Sequence, residues 1–168
     1  MLKLILGGIK SGKSAFALKL CNNYKRKLYI ATLEGNDSET KQKISKHRKE
    51  RGSDWDLTEE PIDITNVIKL KHNKYEIILL ECLNTWINNL LYYNLDANLY
   101  INNLIKFLNE SKENLNLIIV SNEVGSSVIP ENKTARDFIN ILGIANQKLA
   151  AAADNVSILF SGIPLKLK

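Results

Sequence analysis

Short, unbroken aliphatic runs alternate along this chain with longer stretches whose apolar positions recur at helical spacing. "LKLIL" (2–6) reads as a buried strand, followed by a glycine loop and a helix over 13–22. "KLYIAT" (27–32) is a second strand, and 38–51 a polar helix opened by the N-cap candidates Asp37 or Ser38. "DWDLTEE" predicts a short strand and "IDITNVIKL" a helix. "YEIILLEC" (75–82) and "NLIIVSNE" (116–123) predict two further buried strands, with helices over 83–94, 97–112 and 133–153. The ending "NVSILFSGIPLKLK" reads as two strands joined at Gly162, the last an antiparallel edge.

Strands that lack two-residue alternation and are separated by helices predict a mostly parallel α/β sheet flanked by helices on both faces. Sites in such folds lie beyond the carboxyl ends of the strands. That rule selects the loops after Leu6, Thr32, Glu81 and Asn122.

Composition narrows the class. A chain of 168 residues, 45% hydrophobic and with three prolines, suits a single domain over 1–168 with one sizeable core. At 7% aromatic that core is expected to be mostly aliphatic. No stretch approaches the roughly 20 apolar residues of a membrane span, and "MLKLIL" runs into glycines too soon for a signal peptide. Cys21 and Cys82 lie in apolar patterns without metal-ligand spacing and read as buried thiols of a reducing compartment, hence a cytoplasmic protein. The net charge of +5 fits a polyphosphate ligand. Nucleic acid is not expected, because the lysines are scattered and no aromatic platform interleaves with them.

"GGIKSGKS", Gly7 to Ser14, matches G-x-x-x-x-G-K-[ST] directly after a strand and at the opening of a helix. Glycines let backbone N–H groups curl around a phosphate, and the helix N-terminus adds partial positive charge. Lys13 is placed to reach the β/γ-phosphates and Ser14 to ligate Mg²⁺. This is a P-loop NTPase pattern, with a sheet of the RecA-like kind. Glu81, ending the apolar run "IILLE", is the candidate second metal group, since a carboxylate there is expensive unless it serves something. Glu123 is placed alike, either for the metal or to organise its own loop.

His47 lies in "KISKHRKERG". Glu39, Lys43 and Lys46 follow helical spacing with it, which describes a charged, solvated face. Alternatively, Lys46, Arg48, Lys49 and Arg51 disfavour the imidazolium, and an unprotonated ring nitrogen can attack phosphorus. The residues alone leave both readings open. His72, in "KHNKYE", reads as surface loop.

An ordered set of segments goes further: "GGIKSGKS", "LYIAT", "KISKHRKERGSDW", "LLECLNTWINNLL", "VSNEVGSSVIPENKTARDF", "NQKLAAAAD" and "SGIPLKLK". In these the chain resembles the bifunctional adenosylcobinamide kinase/adenosylcobinamide-phosphate guanylyltransferase family of cobalamin biosynthesis. The resemblance implies that His47 becomes covalently guanylylated during transfer of GMP from GTP. It implies nucleotide contacts by the phosphate loop (Gly7, Gly8, Ile9, Lys10, Ser11, Gly12, Lys13, Ser14) and by Thr32, Leu33 and Glu34. It extends them to Arg48, Lys49, Glu50, Arg51, Glu59 and Glu81. It also implies ATP and GTP as substrates, a corrinoid acceptor and a homotrimer. Lys10 replaces a common arginine, which loses fork geometry but keeps the charge. Lys46 stands where some relatives carry a second histidine. Rival readings are a P-loop kinase for another small metabolite with His47 idle, a nucleic-acid-associated ATPase, and a nucleotide-binding regulator without turnover.

Overall fold

The computed structural model describes residues 1–34, 54–126 and 128–168. Within them the aliphatic runs become β1 (Leu2–Gly7), β2 (Lys27–Ala31), β3 (Asp56–Glu59), β4 (Ile77–Glu81), β5 (Leu117–Val120) and β6 (Asn155–Phe160). A last strand, β7 (Ile163–Lys166), follows the turn at Gly162. They form a seven-stranded sheet in the order β3-β2-β4-β5-β1-β6-β7. Neighbours from β3 through β6 are parallel, and β7 runs antiparallel against β6. The expected mostly parallel sheet with an antiparallel C-terminal edge is the one observed.

The intervening segments fold as α1 (Lys13–Leu20), α2 (Ile64–Lys71), α3 (Leu83–Tyr92), α4 (Ala97–Glu110) and α5 (Lys133–Ala152). Asp63, Asp96 and Asn132 open α2, α4 and α5, each side chain accepting a hydrogen bond from the backbone N–H three residues on. Such caps contribute about 1 kcal/mol apiece by satisfying N–H groups that have no partner inside the helix. The expected helix over 38–51, which carries His47, lies outside the described residues.

Alternation along each strand divides the core. Leu4, Leu6, Leu28, Ile30, Ile78, Leu80, Leu117 and Ile119 face one cluster with Trp86 of α3, Leu104 of α4 and Leu142 of α5. Ile5, Tyr29, Ile77, Leu79, Ile118 and Val120 face the other, beneath Ala17 of α1 and Cys21 at its C-cap. Each fully buried Leu or Ile contributes about 1.5–3 kcal/mol of transfer free energy. The aliphatic core expected from composition is present, with Trp86 its one large aromatic among the fully buried side chains described. No helix among the described residues is long and apolar enough to cross a membrane.

His72 departs from its reading as surface loop. It opens a short 3-10 turn (His72–Lys74), and its Nδ1 lies 3.2 Å from the Ile68 carbonyl and 2.9 Å from that of Lys69. Its ring also meets the edge of Phe107. It closes the C-terminus of α2, where carbonyls lack helical partners.

Candidate active site

Parallel strands end together, so the loops after β1, β2, β4 and β5 share one edge of the sheet. β1 turns into the phosphate loop at Gly7, whose φ of +151° and close surroundings leave no space for a side chain. A Cβ there would lie 2.6 Å from Ser11 Oγ and 2.8 Å from the Leu159 carbonyl oxygen. Gly12 takes φ +93° and opens α1 without any side-chain cap. The first N–H groups of α1 are therefore presented to whatever occupies the loop, which favours an anion. The Gly162 N–H donates to the Ser11 carbonyl at 2.9 Å, so the β6–β7 turn braces the loop from behind.

Lys13 is 8% exposed and its Nζ donates to the Gly8 carbonyl at 2.6 Å. Burial pushes its pKa below the ordinary value, with the Cys82 thiol and the Glu81 carboxylate acting in the opposite direction. A desolvated ammonium folded back on its own loop gains by exchanging a carbonyl partner for phosphate oxygens. Ser11 Oγ is buried and has no hydrogen-bond partner among the described residues.

Glu81 ends β4, and its carboxylate is held at both oxygens. Ser14 Oγ donates to Oε1, and the Tyr29 hydroxyl donates to Oε2 at 2.8 Å. A hydroxyl and a carboxylate meeting beside a phosphate cradle form a hard, all-oxygen corner. Magnesium fits such a corner, because it takes one or two protein oxygens and completes its shell with water and substrate phosphates. No group of three or more His, Cys, Asp or Glu among the described residues could hold a metal by itself.

The remaining predicted residues are spread along the same edge. Thr32 is fully buried, its hydroxyl accepting from the Cys82 N–H at 3.0 Å and donating to the Cys82 carbonyl at 2.9 Å. Its side chain thus joins the ends of β2 and β4. Glu34 accepts from the Tyr93 hydroxyl at 2.9 Å. Glu59 ends β3, which stands four strands from β1 in the sheet order. At about 4.8 Å per strand that is roughly 19 Å away from the phosphate loop. Ile9 and Lys10 are exposed at the crown of the loop. His47 and Arg48, Lys49, Glu50 and Arg51 lie outside the described residues.

Glu123 makes the contacts that its loop-organising reading calls for. Its N–H donates to the Gly7 carbonyl at 3.0 Å, and its carboxylate accepts from the Gly125 N–H at 2.7 Å, shaping its own loop. Cys82 is only partly buried by surface area, next to Lys13 and Glu81 in the site, where burial still pushes its thiol pKa up. Tyr29 and Asn89 escaped sequence reasoning, and Gly162, read as the turn between the last two strands, was not placed at the site. A strand tyrosine, a helical asparagine and a turn glycine carry no motif, and only the strand register places them here.

Comparison with known proteins decides among the readings the site permits. The family model for cobinamide kinase / cobinamide phosphate guanyltransferase matches residues 3–167. The chain belongs to that family. It is an enzyme of the cobinamide kinase / cobinamide phosphate guanyltransferase type. The bifunctional adenosylcobalamin biosynthesis protein CobU of Escherichia coli (strain K12) is 36% identical over 100% of both chains. The CobU of Salmonella typhimurium is 35% identical over 100% of both. The bifunctional protein CobP of Pseudomonas aeruginosa is 32% identical over 100% of this chain and 98% of its own. Among solved structures, an ATPase from the type III secretion system of pathogenic bacteria superposes with a TM-score of 0.56 at 9% identity, covering 94% of this chain and 50% of that one. The P4 protein of bacteriophage phi6 in complex with ADP gives 0.50 at 10% identity, covering 97% of this chain and 52% of that one. The chain spans about half the length of these two structures, and at such identity they speak for the P-loop NTPase fold alone.

Proposed function

We propose that this chain, folded as one domain over 1–168, is a bifunctional enzyme of cobalamin biosynthesis acting on a corrinoid in the cytoplasm. In the first reaction, the hydroxyl of the aminopropanol arm of adenosylcobinamide attacks the γ-phosphorus of ATP or GTP, giving adenosylcobinamide phosphate and a nucleoside diphosphate. In the second, a ring nitrogen of His47 attacks the α-phosphorus of GTP and pyrophosphate leaves. The resulting N–P bond then breaks as a phosphate oxygen of adenosylcobinamide phosphate attacks, giving adenosylcobinamide-GDP and free histidine. Covalent catalysis divides one hard displacement into two easier ones.

The observation that carries this reading is the phosphate cradle. Lys13, the uncapped start of α1 and the Ser14–Glu81 corner converge at one point in a chain that the family model spans almost end to end. Lys13 neutralises and orients the transferring phosphates, and the α1 N–H groups hold the triphosphate in line. Mg²⁺ on Ser14 and Glu81 would supply further charge neutralisation when bound. His47 is the nucleophile, with Arg48, Lys49, Glu50 and Arg51 lining the bound guanine nucleotide, and the working assembly is a homotrimer. These last assignments are supported by the family resemblance of "KISKHRKERGSDW". Both free cysteines described agree with a reducing compartment.

The test is to incubate the purified protein with adenosylcobinamide, GTP and Mg²⁺ and identify the corrinoid products. Adenosylcobinamide-GDP with stoichiometric pyrophosphate is expected. A product that stops at the phosphate would leave a small-metabolite kinase.

A further inference from the structure

Glu81 stands where shorter aspartates commonly serve phosphate loops, and it carries one more rotatable bond to be fixed. In the parallel register of β2 and β4, Ala31 lies opposite Glu81 and Tyr29 opposite Leu79. Two-residue periodicity puts Tyr29, Ala31, Leu79 and Glu81 on one face of the sheet, beneath α1. The small Ala31 leaves the diagonal open, and the Tyr29 hydroxyl crosses it to Glu81 Oε2 at 2.8 Å. The tyrosine itself is held: it is 5% exposed, and its ring meets Trp55 edge-on, with centroids 6.0 Å apart and planes at 86°.

We propose that Tyr29 is the positioning residue of the metal corner, fixing Oε2 of Glu81 so that Oε1 points at Ser14. This rests on the reading of Ser14 and Glu81 as the Mg²⁺ groups. The Tyr29 hydroxyl is hydrogen-bonded to Glu81, the group it positions. It removes the freedom of the longer carboxylate, so that a glutamate presents one oxygen to the loop in a fixed direction. A second group holding a ligand in orientation is commonly worth about tenfold or more in metal affinity.

The test measures Mn²⁺, used in place of Mg²⁺, by electron paramagnetic resonance in the presence of a non-hydrolysable GTP analogue. Wild type, Tyr29→Phe, Glu81→Gln and the double variant are compared. Phenylalanine keeps the ring and its contact with Trp55, and melting in EDTA checks that each variant is folded. Tyr29→Phe should weaken Mn²⁺ binding about tenfold and Glu81→Gln at least as much. The double variant should bind no more weakly than Glu81→Gln alone, since Tyr29 acts only through that carboxylate. Additive losses would overturn the proposal, because a merely structural tyrosine acts in either background. Wild-type affinity in Tyr29→Phe beside a weakened Glu81→Gln would also overturn it, while leaving the metal reading intact. Wild-type affinity in Glu81→Gln would instead overturn the metal reading itself.

Discussion

The side-chain amide of Asn89, on α3, donates to the carbonyl of Thr32 at 2.8 Å and to that of Pro61 at 3.1 Å. Thr32 follows β2 and Pro61 follows β3, so one buried side chain ties together the carboxyl ends of two neighbouring parallel strands. Tyr93 adds a second tie through Glu34, two residues past Thr32. Helix α3 and the residue that follows it therefore anchor the chain where it leaves β2.

Asn89→Leu leaves both carbonyls without that donor. A loss of about 2 kcal/mol in unfolding free energy is expected, measured by urea denaturation. Guanylylation should slow more than phosphoryl transfer, because only the former needs the segment after Thr32. Equal slowing of both would place Asn89 in general stability alone.

Gly7→Ala forces a methyl against Ser11 Oγ and the Leu159 carbonyl. The phosphate loop must then shift, and displacement of a positioning group by an ångström costs turnover on the order of a hundredfold. Initial rates of both reactions should fall together, and nucleotide affinity measured by calorimetry should fall with them. An active Gly7→Ala protein would mean the loop does not hold the triphosphate.

Lys13→Ala should abolish both reactions, since both place a triphosphate on the same cradle. Loss of only one would mean two separate nucleotide sites.

Two buried groups around α1 titrate with opposite signs. Burial lowers the Lys13 pKa from 10.5, so the unfolded chain holds that proton more tightly and stability rises as pH climbs towards 10.5. Burial pushes the Cys21 thiol from 9.0 to about 11, so the native state holds its proton more tightly and stability falls between those values. Lys13→Met should remove the rising component and Cys21→Ala part of the falling one, which the Cys82 thiol, also pushed up by burial, shares. Denaturant midpoints between pH 7 and about 11, compared with wild type, separate them. A Cys21→Ala curve parallel to wild type would contradict the assignment.

The sheet was legible because its strands are buried on both faces and therefore appear as unbroken aliphatic runs, such as "IILLE" and "LIIV". The helix starts expected at 97 and 133 match those observed, each behind a capping side chain, Asp96 and Asn132. The phosphate loop was legible because its work demands glycines and a lysine at fixed spacing. Tyr29 and Asn89 were not, since their partners lie 52 and 57 residues away and only strand register and helix packing bring them near. Thr32 was anticipated at the site, but its hydroxyl proved to join two strand ends. His72 looked like loop because the pattern "KHNKYE" does not reveal that its ring folds back onto the preceding helix.

His47 as a covalent nucleophile is the central claim. Intact-protein mass spectrometry after incubation with GTP and Mg²⁺, without corrinoid, tests it most directly. One GMP adduct is predicted on the wild-type chain, removed by acid, stable to alkali and absent from His47→Ala. An adduct of equal abundance on His47→Ala, or none on the wild type under conditions where GMP transfer proceeds, would contradict it.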